Sequence, residues 1–486
     1  MAFTFAGYPS AFVFEAPNGK KIDHLLWGDF IRLLGPEIDS WVNVRIRATT
    51  GWMRKQDIQQ ERLLEINFVD IGQGDGCFIV TPDDKFMLLD AGEGDNMIRF
   101  LRWRFNLKKH PEQVITMQSA VISHSDADHY KGFKALFDDP QFKFETVYHN
   151  GIVERAGDDP LGPTEKINGV KCLTGVVPDK QTLKPIIENP ANVGRSLYPN
   201  LMKAALQNGR VGDIRMLCSV DGFMPGYEAD KKLVIRALGP VPEPGDAHGR
   251  LLRYFSDQGK TKNGHSVILK LEYGNVKVML GGDLNIPSEN HLLRHYTQMD
   301  PLSKDVAKQD ALVGKAREVF ESDVAKACHH GSGDFNSLFL RAVNPIATII
   351  SSGDDESHAH PRPDALGTFG KHGRGERPLI FSTELARSAK ETIKNPNALR
   401  KEIKDLFLLR EKAENDEVKA QLDKKIEKLL ENVDRTVTVY GLINVRTDGK
   451  RVVIAQKLES PAPRGEWDLH QLEPDANGHL HYVTKH

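Results

Sequence analysis

The run His124-Ser125-Asp126-Ala127-Asp128-His129 sets two imidazoles and two carboxylates within six residues, just after the apolar stretch Ala120-Val121-Ile122. A strand that ends in such a cluster delivers several metal donors to one point. The pattern demands a fold in which strand ends converge, and it points to a two-metal hydrolase. Carboxylate and imidazole donors at strand ends can hold two divalent ions about 3.5–4 Å apart, a pair that activates water and clamps a scissile phosphate. Alternate residues His124 and Asp126 can face one ion, and Asp128 and His129 the other. Asp283, after two glycines at the end of a separate apolar run, suits a bridging position. His329 or His330 can close the second site.

With 486 residues the chain exceeds one ordinary core, so a large domain with smaller units is expected. Charged residues make up 27% and the formal net charge is −2, so any nucleic-acid affinity must come from a local patch. No apolar run approaches the roughly 18–20 residues of a membrane span. No basic segment followed by an apolar one marks a secretory signal at the N-terminus. Cys77, Cys172, Cys218 and Cys328 lack paired spacing, which fits a reduced, cytoplasmic protein and gives no Cys-x-x-Cys zinc site.

Residues 1–60 read as a small β unit. Trp41-Val42-Asn43-Val44-Arg45 followed by Thr50-Gly51-Trp52-Met53 resembles bacterial SH3-like domains; the alternative is a β-hairpin extension of the main domain. The main domain is expected over 63–383, strand-rich with intervening helices, as an α/β sandwich of the αββα kind. A helix is predicted at about 95–107 and a helical region at roughly 287–322. Residues 150–230, rich in Gly and Pro and weakly periodic, read as an insertion. Residues 384–434 form a charged helical insert. Val418, Leu422, Ile426, Leu429, Leu430 and Val433 repeat there at three and four and mark one apolar face, for the core or for a partner. Residues 435–486 supply a closing hairpin around Thr447-Asp448-Gly449-Lys450 and a tail.

Further stretches extend the pattern in order: Asp70-Ile71-Gly72-Gln73-Gly74-Asp75, Leu89-Asp90-Ala91-Gly92, the His124 cluster, Asn263-Gly264-His265-Ser266, Gly282-Asp283, His329-His330-Gly331-Ser332 and His360-Pro361. Together they resemble the metallo-β-lactamase fold superfamily, and within it the soluble hydrolase domain of ComEC-type DNA-uptake proteins. The resemblance implies two divalent metal ions, zinc or manganese with magnesium as a further candidate. Asp126 stands where the superfamily more often has histidine, an exchange that hardens the site and shifts preference from zinc towards manganese or magnesium. The resemblance also implies that Asp90 and Asp75 support the ligands from behind. It places Asn263 and Ser266 beside the metals, although both equally fit a polar strand start. His360 becomes a loop histidine able to bind a phosphate oxygen or protonate a leaving group, and Asp126 or Asp128 takes the proton of the attacking water. The usual third-motif histidine has no clear match; His149 and His265 are the candidates. The membrane channel of the ComEC family is missing from these residues. His291, His295, His358 and His372 read as surface residues, and His470, His479, His481 and His486 as tail residues without acidic partners.

The leading functional expectation is cleavage of phosphodiester bonds in DNA. A basic surface for it would come from Arg99, Arg102, Arg104, Lys108 and Lys109, unless that run is simply a solvated helix face. A small phosphodiester, as in phosphorylcholine esterases, is the alternative. The third reading is an effector hydrolase regulated by a protein partner through the SH3-like module or the 384–434 helices.

Overall fold

A computed structural model describes residues 4–483 except 48, 245–249, 353–358, 384–395, 440 and 463–464, and leaves the side chains of 36, 396–400, 431–439 and 459–462 undescribed. Two sheets carry the main domain. The first runs, edge to edge, Val211–Met216, Phe142–His149, Ile115–Ile122, Phe86–Ala91, Gly76–Val80, Leu64–Phe68, Ile443–Thr447, Val452–Ala462, Gly465–Pro474 and Leu480–Val483. The second runs Leu233–Gly239, Ile268–Tyr273, Val276–Leu280, Val324–Lys326, Ala347–Ile350 and Leu379–Ser382.

Alternation along the strands decides the layering, because successive side chains point to opposite faces. Cys77, Ile79, Met87 and Leu89 of the first sheet meet Leu269, Leu271, Val278 and Leu280 of the second in one buried core. Their neighbours Phe78 and Leu88 face outward into a second core with Phe100, Leu101, Phe133, Leu183 and Leu201 from helices. On the far side Ile268, Met279 and Ala325 pack against Leu292, Leu312, Phe320 and Phe339. The result is helix, sheet, sheet, helix, as expected from the residues.

The strands that matter for chemistry run parallel. Phe86–Ala91, Ile115–Ile122, Phe142–His149 and Val211–Met216 are parallel neighbours, as are Val276–Leu280, Val324–Lys326, Ala347–Ile350 and Leu379–Ser382. Their C-terminal ends gather on one rim of the sandwich. In open sheets this end is where sites are built, because loops leaving parallel strands are free to carry polar groups.

Several expectations need correction. Residues 180–216 are not an appended insertion: helices Lys180–Glu188 and Leu197–Gln207 cover the first sheet, and Val211–Met216 forms its edge. Pro185 and Pro199 obscured these helices, yet Leu183 with Ile187, and Leu201 with Ala205, keep the four-residue spacing of a buried face. The helical region expected at 287–322 is present, as two helices, Ile286–Thr297 and Val306–Phe320. His470 is no tail residue. It lies in strand Gly465–Pro474, 3.3 Å from Asp468 Oδ2. His358 and His486 lie outside the described residues.

The N-terminal unit is a separate antiparallel sheet of seven strands, Lys21–Leu26, Ser10–Phe14, Thr49–Arg54, Trp41–Ile46, Phe30–Ile38, Thr4–Ala6 and Ile58–Gln59 in spatial order. It has its own core around Val13, Leu25, Val44 and Met53. It is also bolted to the main domain. The buried Arg446 guanidinium donates to the Trp27 carbonyl (2.6 Å) and to Asp29 Oδ1 (2.8 Å), and Trp467 Nε1 donates to the His24 carbonyl (2.9 Å).

Helices Pro396–Lys412 and Asp416–Val439 form a charged hairpin lying against helix Asn96–Arg104. Of its apolar stripe Ile426 is buried, Leu422 and Leu429 are half-buried, and Val418 and Leu430 are exposed; the Val433 side chain lies outside those described. No helix among the described residues is long and apolar enough to cross a membrane.

Candidate metal centre

Asp90 begins the construction. It adopts a left-handed conformation (φ 56°) at the end of its strand, so its carboxylate turns back to the neighbouring strand end. There Oδ1 accepts the Ser123 N–H (2.7 Å) and Oδ2 accepts from His129 Nδ1 (2.8 Å). That bond leaves Nε2 of His129 as the free donor atom. Asp90 thus stands behind a ligand histidine, where the resemblance put it.

The other two imidazoles are set in the same manner. Nδ1 of His124 faces the hydroxyls of Ser123 (3.0 Å) and Ser266 (3.3 Å). Ser266 spends its own proton on the Asn263 carbonyl (2.7 Å) and accepts the Asp283 N–H (3.0 Å), so the imidazole is the donor. Nδ1 of His330 donates to the Ser351 carbonyl (2.9 Å). All three rings therefore turn Nε2 into the interior, and none of these buried atoms has a hydrogen-bond partner among the described residues. A buried nitrogen without a partner is costly. Three in one cluster, with His129 grouped beside His124 in one set and beside His330 in another, fit divalent cations.

Carboxylates complete the set. Asp283 Oδ2 lies 3.2 Å from His129 Nε2 and 3.1 Å from His330 Nε2. Asp128 Oδ2 lies 3.4 Å from His330 Nε2 and 3.9 Å from His129 Nε2. Groups whose donor atoms lie within 4.8 Å of one another are His124–His129–Asp283, Asp128–His129–His330, Asp75–Asp283–His330 and Asp75–Asp90–His129. The field here favours positive charge. Burial opposes the charge on His129 and on His330, but Asp283 foremost outweighs it and holds both imidazoles well above their ordinary value. Burial likewise pushes the Asp283 carboxyl up, and His330 and His129 pull it well below the usual range.

Consecutive left-handed residues explain which of the paired histidines turns inward. His329 (φ 51°) and His330 (φ 53°) twist the chain after strand Val324–Lys326, and His330 enters the cluster while His329 stays half-buried outside those groups. His360, half-buried, has its ring 5.6 Å from that of His329 and 6.3 Å from that of His330.

Asp126 is placed differently from the expected ligand. Its Oδ1 is ion-paired with Lys262, and its Oδ2 accepts from the Asn263 amide at 2.7 Å and stands 3.6 Å from His124 Nε2. Lys262 also binds Glu154 Oε1 (2.7 Å), which ties the segment after strand Phe142–His149 to the mouth of the site. Asn263 closes helix Gln258–Gly264 instead of opening a strand.

Of the two third-motif candidates, His265 is turned away. It stacks on Phe255, its Nε2 bonds the Arg253 carbonyl (2.7 Å), and burial drops its pKa to about 3. His149 ends the strand beside Ile122, with Nε2 buried and without a hydrogen-bond partner among the described residues, yet it is in none of the converging groups.

Two lysines escaped the reading of the sequence. Lys262 guards Asp126, and Lys326 lies buried against Asp75, Asp283 and the Gly282 carbonyl. A lysine inside the apolar run Val324–Ala327 was the available signal for the second.

Two face-to-face sheets between helical layers, with His and Asp donors at the C-terminal ends of parallel strands, form a metallo-β-lactamase-like structure. Its likeness among curated proteins is to ComE operon protein 3 of Bacillus subtilis (strain 168), 24% identical over 314 residues, which takes in 63% of this chain and 31% of that protein. The chain thus spans about a third of that relative's length. No protein-family model matches. Among solved structures, a metal-dependent hydrolase of the beta-lactamase superfamily is 12% identical with a TM-score of 0.32, covering 66% of this chain and 95% of that one. CmlA beta-hydroxylase, as a mutant, is 11% identical with a TM-score of 0.32 over 68% and 54%. A diphosphatase from the PhnP family is 11% identical with a TM-score of 0.27 over 66% and 96%.

Proposed function

We propose that this metal-dependent hydrolase of the metallo-β-lactamase superfamily cleaves phosphodiester bonds, with DNA as the first substrate class, using two divalent ions. The observation that carries the reading is that the unpartnered Nε2 of His129 stands with His124 and Asp283 in one group of donors and with Asp128 and His330 in another. His124, Asp128, His129, Asp283 and His330 would hold the metal. Carboxylates among the donors suit harder ions, which makes manganese and magnesium the first to try beside zinc. When bound, such ions supply Lewis acidity and a water of lowered pKa.

The chain's own groups do the rest. Asp126, at the mouth, accepts a proton from the attacking water; Lys262 and the Asn263 amide orient it. His360 serves the leaving oxygen from the opposite loop. The motif order, which resembles the hydrolase domain of ComEC-type DNA-uptake proteins, supports DNA.

A small phosphodiester is the second reading, and a specific observation favours it. Four of the five basic residues expected to hold DNA are already ion-paired: Arg99 with Asp95, Arg102 with Asp139, Arg104 with Glu65 and Lys108 with Glu427. The Lys262–Glu154 link also ties the segment after strand Phe142–His149 to the cation that holds Asp126.

The test is cleavage of supercoiled, linear and single-stranded DNA and of bis(p-nitrophenyl) phosphate with Mn²⁺, Mg²⁺ or Zn²⁺. Asp128→Ala should abolish all turnover. Protein shown to bind metal but inert on every diester would overturn the proposal, and turnover of the chromogenic diester alone would select the second reading.

A further inference from the structure

Lys326 is buried at the end of strand Val324–Lys326, three residues before the His329–His330 twist. An ammonium is not buried unless its donors are satisfied and its charge is matched. Both conditions hold here. Its Nζ is ion-paired with Asp75 Oδ2, donates to the Gly282 carbonyl (2.9 Å) and lies 3.6 Å from Asp283 Oδ1. Three elements converge on it: the turn before strand Gly76–Val80, the loop after Val276–Leu280, and its own strand. Asp75 meanwhile has its other oxygen 3.3 Å from His330 Nδ1, on the side of the ring away from Nε2.

We propose that Lys326 is a built-in cation of the centre, which turns Asp75 towards the protein instead of a metal ion and exchanges some metal affinity for affinity towards an anionic substrate. An ammonium has three donors and no lone pair, so it competes with metal for the carboxylates of Asp75 and Asp283 and never joins as a ligand. Its charge stays fixed beside the ions when they bind. One extra positive charge in a water-poor site repels a dication and attracts a phosphodiester anion. This inference rests on the phosphodiesterase reading of the same donor set.

The charge argument has a signature that a packing role lacks. Lys326→Met should bind Mn²⁺ more tightly, by about tenfold, and inorganic phosphate more weakly by a similar factor in the Mn²⁺-loaded protein. Asp75→Asn, which leaves the ammonium in place and removes a negative charge, should move both in the opposite directions. Mn²⁺ titration by calorimetry and phosphate competition by direct binding read the two quantities without turnover. Affinities that fall together in Lys326→Met, or stay unchanged, overturn the inference. Should that variant fail to fold, Asp75→Asn decides, and weaker phosphate binding there overturns it. If the unaltered protein binds no Mn²⁺ at all, the reading of the whole centre falls with it. If the unaltered protein binds Mn²⁺ and cleaves diesters while both variants leave the two affinities unmoved, only the role of Lys326 falls.

Discussion

Gly74 offers the sharpest perturbation of the centre, because its surroundings set a size for the effect. It sits at φ 101° in the turn Gly72–Asp75, and a Cβ built on it would lie 1.7 Å from the Asp128 carbonyl oxygen and 2.5 Å from its carbon. A real Cβ essentially never approaches another heavy atom within 3.0 Å, so in Gly74→Ala the Asp128 peptide must retreat by roughly 1 Å or more. That peptide carries Asp128 on one side and His129 on the other. The hydrogen bond from the Asp75 N–H to the Asp128 carbonyl (3.3 Å) goes with it. A displacement of about 1 Å in a reacting array costs on the order of 100-fold in rate, and ligand misplacement costs about 10- to 100-fold in metal affinity. Gly72 supplies the control. Its φ is 75°, but a Cβ there meets nothing within 4 Å, so Gly72→Ala pays only the backbone term of about 1 kcal/mol. Mn²⁺ calorimetry and diester turnover on both variants, with urea melts in EDTA for stability, separate the two effects. Gly74→Ala should lose metal and turnover, and Gly72→Ala only stability. Wild-type Mn²⁺ affinity in Gly74→Ala, or equal metal loss in both, would refute the reasoning.

Two further outcomes concern the scaffold. Burial raises Glu289 from 4.5 to about 8, so the native carboxyl holds a proton that the unfolded chain releases. The unfolded state then binds fewer protons between these values, and stability falls as pH rises from about 4.5 to about 8, by at most about 4–5 kcal/mol. Glu289→Gln should flatten that slope in melts taken across the window; a slope identical to wild type would show that Glu289 ionises normally. Arg446→Met leaves the partly buried Asp29 and the buried Glu65 short of a cation and cuts the bonds to the N-terminal sheet. A loss of about 3–5 kcal/mol is expected in chemical denaturation, with Mn²⁺ affinity retained, and a loss under 1 kcal/mol would contradict the arrangement.

Much of the architecture could be read from the residues because strand alternation and the strand-end cluster are local signals. Phe78 beside Cys77 and Ile79 already separates the two faces of one strand. What stayed hidden is pairing across long stretches of chain. Asp126 reads as a ligand by its position between His124 and Asp128, and only the fold brings Lys262 and Asn263 onto its oxygens. The cationic run 99–109 reads as a basic face, and only the fold supplies Asp139, Glu65 and Glu427. The choice between His329 and His330 hung on two left-handed residues, a backbone state that no side-chain pattern announces.

The place of strand Ile443–Thr447 in the first sheet bears on how the chain can be made. It pairs with Leu64–Phe68, whose other edge is taken by Gly76–Val80. Every donor of the centre has been synthesised long before this strand appears. A nascent chain can therefore hold a full set of metal donors while Leu64–Phe68 still offers an open, apolar edge, the kind of edge that invites pairing with another chain. Long-range closure of this sort is slow to form. The helical hairpin that immediately precedes the late strand in sequence docks beside helix Asn96–Arg104, next to the same half of the molecule. It sets how far the late strand must travel to its slot, so shortening that hairpin becomes a question of folding yield as much as of binding.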